Sequence, residues 1–323
     1  MKLTDIYWYL RSDIAKIEKD IERNVDANHP VLQRASSHLL KAGGKRIRPI
    51  FVLLSAQFGK YDLEQLKKIA VPLEMIHMGS LVHDDVIDNA ELRRGKKTVK
   101  AQWDNRVAMY TGDYMFARAI EIATYCKSEK VHPILSDAMV EMCIGEVEQI
   151  RDQYNWNQHL RMYFRRIKRK TALLIAVSCE LGAVVSEVPA RYQEMLAKYG
   201  YYVGMAFQIT DDILDFVGTE KELGKPAGSD LVQGNITLPA LYAMHKRPEL
   251  KLRIIELLNN AHPKKTEITE TIEAIKSSGA IDYSKNIADR YLAKSRLALE
   301  ELPDIQAKKA LQQIADYIGD RKF

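Results

Sequence analysis

The chain holds 323 residues, 46% of them hydrophobic and 28% charged, which excludes disordered, fibrous and collagen-like classes. Lysine and arginine number 48 against 43 aspartates and glutamates, and a net charge of +5 does not by itself demand nucleic acid. Three cysteines, Cys126, Cys143 and Cys179, stand at no metal-ligand spacing, which argues against a disulfide framework or a zinc site and suits a reducing, cytoplasmic setting.

Ile6, Leu10, Ile14, Ile17 and Ile21 recur at helical spacing and predict an amphipathic first helix, interrupted by Asp5, Arg11 and Asp13 and so not a secretory signal. A break follows over residues 41–49, where Gly43-Gly44 precede Lys45, Arg46, Arg48 and Pro49 and set three cations near a helix start. Residues 69–87 are apolar nearly all round, as a helix in the middle of a bundle would be, and lead into Asp84-Asp85-Val86-Ile87-Asp88, with Arg93-Arg94 after it. Residues 161–170 carry six cations, read either as a solvated face or as an anion-binding patch; only Tyr163 and Phe164 interleave, so a nucleic-acid reading rests on charge alone. Residues 171–185 are apolar but contain Glu180 and fall short of the ~20 needed to span a bilayer, so a buried helix is expected. A second acidic motif, Asp211-Asp212-Ile213-Leu214-Asp215, precedes a glycine-rich stretch, residues 218–234, that reads as a mobile lid holding Gly224, Lys225 and Asp230. Leu292, Leu299, Leu311, Ile314 and Ile318 predict amphipathic helices near the end. With no Asn-Gly or Asp-Gly dipeptide, repeat or linker, the chain reads as all-α: one domain, residues 1–323, a large helical bundle around a central cavity, to which strands contribute nothing.

The two D-D-x-x-D motifs carry the chemistry. On a helix, residues four apart share a face about 6 Å apart in rise, so Asp84 stacks near Asp88, and Asp211 near Asp215. Such carboxylate pairs suit Mg²⁺, which keeps several waters and takes its remaining ligands from substrate phosphates. Two facing pairs would bracket a diphosphate. The bland alternative is a pair of solvated helix ends or a calcium-buffering surface. Of the two histidines beside the first motif, His77 and His83, His77 is the candidate ligand of an anionic substrate.

These residues resemble those of the trans-type polyprenyl diphosphate synthases. The likeness rests on both aspartate motifs, Arg93-Arg94-Gly95, Gly43-Gly44-Lys45-Arg46-Ile47-Arg48-Pro49, Lys170-Thr171, Phe207-Gln208, Gly224-Lys225 and Asp230 through Asn235. It covers residues 30 to 240, and is greatest to the catalytic larger subunits of two-component synthases, extending to Tyr317-Ile318-Gly319 and Arg321-Lys322-Phe323. The resemblance implies an isoprenoid-synthase bundle in which Asp84, Asp88 and Asp211 bind Mg²⁺, about three ions per site, with Asp85, Asp212 and Asp215 as nearby or water-mediated ligands. It implies an allylic diphosphate held by Arg93, Lys170, Thr171, Gln208 and Lys225, and isopentenyl diphosphate held by Lys45, Arg48, His77 and Arg94. The catalytic set is then Asp84, Asp88, Arg93, Lys170, Asp211 and Lys225, the departed diphosphate serves as base, and the lid and basic C-terminus keep water out.

Ser80 and Ile76 precede Asp84 by one and two turns on its face, with Gly79 beside Ser80; they line the start of a product tunnel that the small Gly79 and Ser80 are expected to leave open beyond four isoprene units, the alternative being that Gly79 and Ser80 serve close helix packing. The expected activity is elongation of an allylic diphosphate such as farnesyl diphosphate to a six- or seven-unit all-trans chain for a menaquinone. A class I terpene cyclase of similar fold, or a non-catalytic metal-binding or regulatory subunit, are the alternatives. Expected partners are the two diphosphates and a smaller non-catalytic subunit in a heterodimer, with a homodimer as the other option; nucleic acid is not expected, and peripheral membrane contact would serve product release.

Overall fold

The computed structural model describes residues 3–26, 29–219, 226–260 and 264–320. Among them the architecture is all-α apart from one short hairpin, as the periodicity predicts. The chain forms two compact units: Met1–Asp137, Leu174–Ala197 and Glu301–Gln313 make the first, and Ala138–Leu173, Lys198–Glu300 and Ile314–Phe323 the second. No single cut in the sequence separates them.

In the first unit, helices α1 (Leu3–Asn24), α2 (Pro30–Lys41), α3 (Ile47–Ala56) and α4 (Leu63–Ile87) supply much of the core. Ile6, Ile17 and Ile21 of α1 are fully buried, which is the apolar stripe read from sequence. The α4 helix begins where the Asp62 carboxylate accepts from the Glu64 N–H at 3.0 Å, satisfying a backbone donor that a helix start leaves orphaned. It then buries Leu66, Ile69, Leu73 and Ile76 completely. Against it packs α6 (Asn105–Thr124), and the approach depends on glycine: a Cβ on Gly79 would lie 3.0 Å from the Phe116 ring and 3.1 Å from the Gly112 carbonyl oxygen. Helix α9 (Leu173–Val185) runs through this core with Leu174, Cys179, Leu181 and Ala183 buried, as its apolar composition requires.

Two local features depart from the sequence reading. The break over residues 41–49 closes sooner, because α3 starts at Ile47 and Pro49 sits in its first turn, where a missing N–H costs nothing. After α4, strands β1 (Leu92–Arg93) and β2 (Lys96–Lys97) form an antiparallel hairpin where no strand was expected. Its two-residue turn is Arg94-Gly95, with φ of 53° and 74°; both central residues of such a turn must be left-handed, and here an arginine takes the place usually given to asparagine or aspartate.

In the second unit, α8 (Leu160–Ile167), a π-helical turn (Lys168–Ala172), α10 (Ala190–Val217), α11 (Ser229–Val232), α12 (Leu238–Lys246), α13 (Pro248–Asn259), α14 (Lys265–Ser277) and α15 (Ala280–Glu300) surround Tyr163, Met205, Ile209, Ile213 and Phe216, all fully buried. The π turn was not legible in the sequence. It lies against Gly204 of α10, where a Cβ would come 2.5 Å from the Ala172 Cα.

All three cysteines are free; Cys126 and Cys179 are buried and Cys143 is exposed. Burial pushes the Cys179 thiol up to about 12, so it packs as an inert apolar group. Among the described residues no helix is long and apolar enough to cross a membrane.

Candidate active site

The first acidic motif closes α4. Asp88 is the C-terminal cap, and its N–H bonds the Asp84 carbonyl at 2.8 Å, so the i, i+4 register that stacks the two side chains is present. Asp85 turns elsewhere, as the ~100° step per residue requires. It is 1% exposed and accepts from Arg93 Nε at 2.7 Å. Burial raises its pKa, and Arg93 opposes that shift. Asp85 therefore orients Arg93, and the hairpin delivers both Arg93 and Arg94.

One turn and two turns before Asp84 stand Ser80 and His77 on α4. Ser80 Oγ bonds the His77 carbonyl at 2.9 Å. The His77 ring helps line a concavity with Gly43, Arg46, Glu74, Arg93 and Arg94. Burial first, then the charges of Arg48, Arg94, Arg93 and Arg46, hold its pKa well below the usual histidine range, so it is neutral at pH 7 and can bind a phosphate oxygen without adding to the cationic charge. Arg48 is pulled down to about 10 by burial, with Glu74 opposing, and stays protonated. Thus Arg48, His77 and Arg94 are brought together, as expected of residues sharing one anion; Lys45 is exposed, and the Tyr7 hydroxyl donates to its backbone carbonyl. His83, by contrast, is occupied by the Met109 carbonyl at 3.1 Å and by Asp113 at 3.3 Å.

The second motif lies in the last two turns of α10. Asp211 is half-buried, whereas Asp212 is 3% exposed and accepts from the Tyr163 hydroxyl at 2.7 Å and from Gln208 Nε2 at 2.8 Å. Burial pushes Asp212 up to about 7 against the pull of these two donors. Gln208 in turn accepts from the Thr171 hydroxyl at 2.6 Å, and Lys170 Nζ donates to Gln149 Oε1 at 2.9 Å. Of the residues expected to hold the allylic diphosphate, Thr171 and Gln208 are thus directly bonded, while Lys170, their neighbour in the π turn, reaches Gln149 instead; π turns often mark functional positions. Asp215 serves the following loop: its carboxylate accepts from the Ser229 hydroxyl at 3.0 Å and the Asp230 N–H at 3.2 Å, and its carbonyl from the Gly228 N–H at 2.7 Å. The loop's other end is tied by the Tyr154 N–H to the Gly234 carbonyl at 3.0 Å. Gly224 and Lys225 of the expected lid, and the C-terminal Arg321, Lys322 and Phe323, lie outside the described residues.

No three His, Cys, Asp or Glu groups gather into a ready cation cage among the described residues. The donor set nevertheless fits Mg²⁺, which is held by one or two carboxylates and completed by waters and phosphates. Of the proposed tunnel residues, Ile76 is fully buried and Ser80 half-exposed, while the contacts of Gly79 with α6 support the helix-packing reading for that residue. Sequence reasoning placed Arg46 among the cations of the first cluster and missed Glu74 and Tyr163. Glu74 had a signal, being the one acid between Ile69 and Val82 in an apolar run; Tyr163 had none.

The polyprenyl synthetase family model matches residues 29–275. Over the full chain, heptaprenyl diphosphate synthase component 2 of Bacillus subtilis (strain 168) is 55% identical, with 92% of its own length covered, and that of Geobacillus stearothermophilus is 52% identical with all of it covered. The crystal structure of heptaprenyl diphosphate synthase from Staphylococcus aureus superposes with a TM-score of 0.91 at 44% identity, covering 97% of this chain and 98% of that one. A polyprenyl synthase from Caulobacter crescentus CB15, complexed with calcium and isoprenyl diphosphate, gives 0.94 at 32% identity, covering 99% and 98%. Matched along its whole length in sequence and in helical architecture, and carrying both aspartate motifs, the chain belongs to the polyprenyl synthetase family and is a prenyltransferase.

Proposed function

We propose that residues 1–323 act as one synthase domain that condenses isopentenyl diphosphate with an allylic diphosphate such as farnesyl diphosphate, giving an all-trans chain of six or seven isoprene units for a menaquinone side chain. The observation that supports this reading is the concavity where Arg94, Arg93 and a neutral His77 converge, with His77 two helical turns from Asp84, an arrangement suited to a diphosphate beside a carboxylate that would bind metal. Isopentenyl diphosphate would take Lys45, Arg48, His77 and Arg94; the allylic diphosphate would take Arg93, Lys170, Thr171, Gln208 and Lys225. Asp84, Asp85, Asp88, Asp211, Asp212 and Asp215 are the residues for about three Mg²⁺ ions, with Asp84, Asp88 and Asp211 in direct contact. Magnesium, when bound, stabilises the negative charge that builds on the departing diphosphate. Arg93 and Lys170 hold that leaving group, and the arginine fork suits its oxygens. Lys45, Arg48 and Arg94 fix the second substrate so that its double bond meets the allylic carbon, and the departed diphosphate takes the proton. Both alternatives, a terpene cyclase and a non-catalytic subunit, are superseded by the family assignment.

The test is incubation of the chain, alone and with a candidate small subunit, with farnesyl diphosphate, radiolabelled isopentenyl diphosphate and Mg²⁺, followed by chromatographic sizing. Polyprenyl products of six or seven units support the reading; absence of isopentenyl incorporation under both conditions overturns it. In the same assay Ser80→Phe is expected to shorten the main product by one or more units, and an unchanged length would remove Ser80 from the tunnel wall.

The printed name "component 2" of the two bacterial relatives supports a heterodimer with a smaller subunit. Helix α7 (Val131–Asp152) presents Val140, Ile144, Val147 and Ile150 exposed at i, i+4, i+7 and i+10, an apolar row suited to a subunit contact. Val147→Glu is expected to weaken association with that subunit about tenfold by sedimentation or calorimetry, and unchanged affinity would place the contact elsewhere.

A further inference from the structure

The arginine cluster at the start of α3 contains more cations than carboxylates. Arg93 is satisfied by Asp85 at 2.7 Å. Arg46 is 7% exposed and bonds two acids, Glu18 of α1 at 3.1 Å through Nε and Glu74 of α4 at 3.3 Å through Nη1. Arg48 and Arg94 have no carboxylate of their own among the described ion pairs; Arg94 donates to the Gly43 carbonyl, and Arg48 Nε is buried without a hydrogen-bond partner. Glu74 mirrors this. It is 3% exposed, and its Oε2 is buried without a partner. A buried unpaired carboxylate oxygen and a buried unpaired guanidinium N–H each cost free energy, so their persistence in one cluster needs an electrostatic reason.

That reason is the field of Glu74. Its negative charge acts on Arg48 and on Arg94 at once, in opposition to burial and to the mutual repulsion of the arginines. The cluster is also closed from below by glycine: a Cβ on Gly44 would lie 2.8 Å from Arg46 Nη1 and 3.0 Å from Arg94 Nη1, so both guanidiniums rest over bare backbone. Arg46 itself adopts φ 47°, a left-handed conformation that an arginine takes only when its surroundings hold it there. A carboxylate for every arginine would neutralise the concavity, and none would scatter the guanidiniums; one shared carboxylate holds them in place and leaves net positive charge facing the opening.

We propose that Glu74 is a positioning residue, the shared counter-charge that pre-organises Arg46, Arg48 and Arg94 into a diphosphate-binding cluster and so sets affinity for isopentenyl diphosphate without touching it. The proposal rests on the substrate reading given above. It deepens that reading by adding a residue that acts only through others.

The test compares Glu74→Gln, which keeps shape and loses charge, Glu74→Asp, which keeps charge, and Gly44→Ala, which displaces the guanidiniums with Glu74 intact, all in the full-length chain with its partner subunit where activity requires it. Steady-state kinetics should show KM for isopentenyl diphosphate rising about tenfold in Glu74→Gln and in Gly44→Ala, with KM for farnesyl diphosphate within about twofold and Glu74→Asp recovering most of the loss. An unchanged KM for isopentenyl diphosphate, or equal shifts in both KM values and kcat, would overturn it, the latter marking a merely structural role. If Glu74→Gln does not fold, Gly44→Ala and Glu74→Asp decide alone by the same split. Calorimetric titration with inorganic pyrophosphate separates this proposal from the substrate reading. A chain that fails to incorporate isopentenyl diphosphate but binds pyrophosphate about tenfold more tightly than Glu74→Gln refutes the substrate and keeps the role of Glu74; equal pyrophosphate binding refutes Glu74.

Discussion

Asp84→Ala is expected to abolish turnover, by about a thousandfold or more, while leaving the melting temperature within about 2 °C of the parent. Asp84 is the first carboxylate of the motif and shares the i, i+4 register with Asp88, so on the proposed metal reading its removal would take one arm of a two-carboxylate grip on Mg²⁺. It sits in the last turn of α4, 9% exposed and beyond the fully buried Leu73, Ile76 and Val82, so truncating it removes a buried polar side chain and none of the apolar core. Turnover and melting therefore separate. The parallel variant Asp85→Ala is expected to differ, because it frees Arg93 from its 2.7 Å partner. Its main effect is expected on KM for the allylic diphosphate. Retained turnover in Asp84→Ala, measured at saturating Mg²⁺, would overturn the metal assignment; cooperative unfolding at room temperature would make Asp84 structural.

Gly204→Ala gives the second large effect, on stability and activity together. A methyl group at this position meets backbone, not a pliable side-chain end: the Ala172 Cα at 2.5 Å and the Ala172 carbonyl oxygen at 3.3 Å. Overpacking of this kind costs about 1–3 kcal/mol and lowers the melting temperature by about 2–10 °C. Relief comes from moving the π turn, which is where Lys170 and Thr171 are held and where Thr171 bonds Gln208 at 2.6 Å. Turnover is expected to fall about tenfold beyond the loss from unfolding, measured well below the transition. If melting drops but turnover per folded molecule does not, the π turn does not position the allylic substrate.

The helices, their buried faces and the register of the first acidic motif were legible in the amino-acid order, because each depends on neighbours within a turn or two. The stripe of Ile6, Ile17 and Ile21, the apolar length of α4 and the i, i+4 stacking of Asp84 on Asp88 all follow from a 3.6-residue period. The resemblance carried by the glycine, arginine and aspartate motifs foretold the family, which the full-length matches bear out. What sequence could not supply were contacts between residues far apart in the chain, whose partners leave no periodic trace. Arg94 was expected among the cations, but not as half of a left-handed hairpin turn. Asp212 was expected beside a metal, and its hydrogen bonds from Tyr163, 49 residues away, and from Gln208 could not be read with it, the first because its partner is remote in the chain. Glu74 stood in plain view as an acid within an apolar helix, and only the fold, by bringing Arg46 and Arg48 of another segment against it, gave that charge a purpose. Local order thus determined the helices and the spacing of the carboxylates along them; tertiary packing, which sets burial and long-range pairing, decided which of those carboxylates are turned inward to arginine, tyrosine and loop.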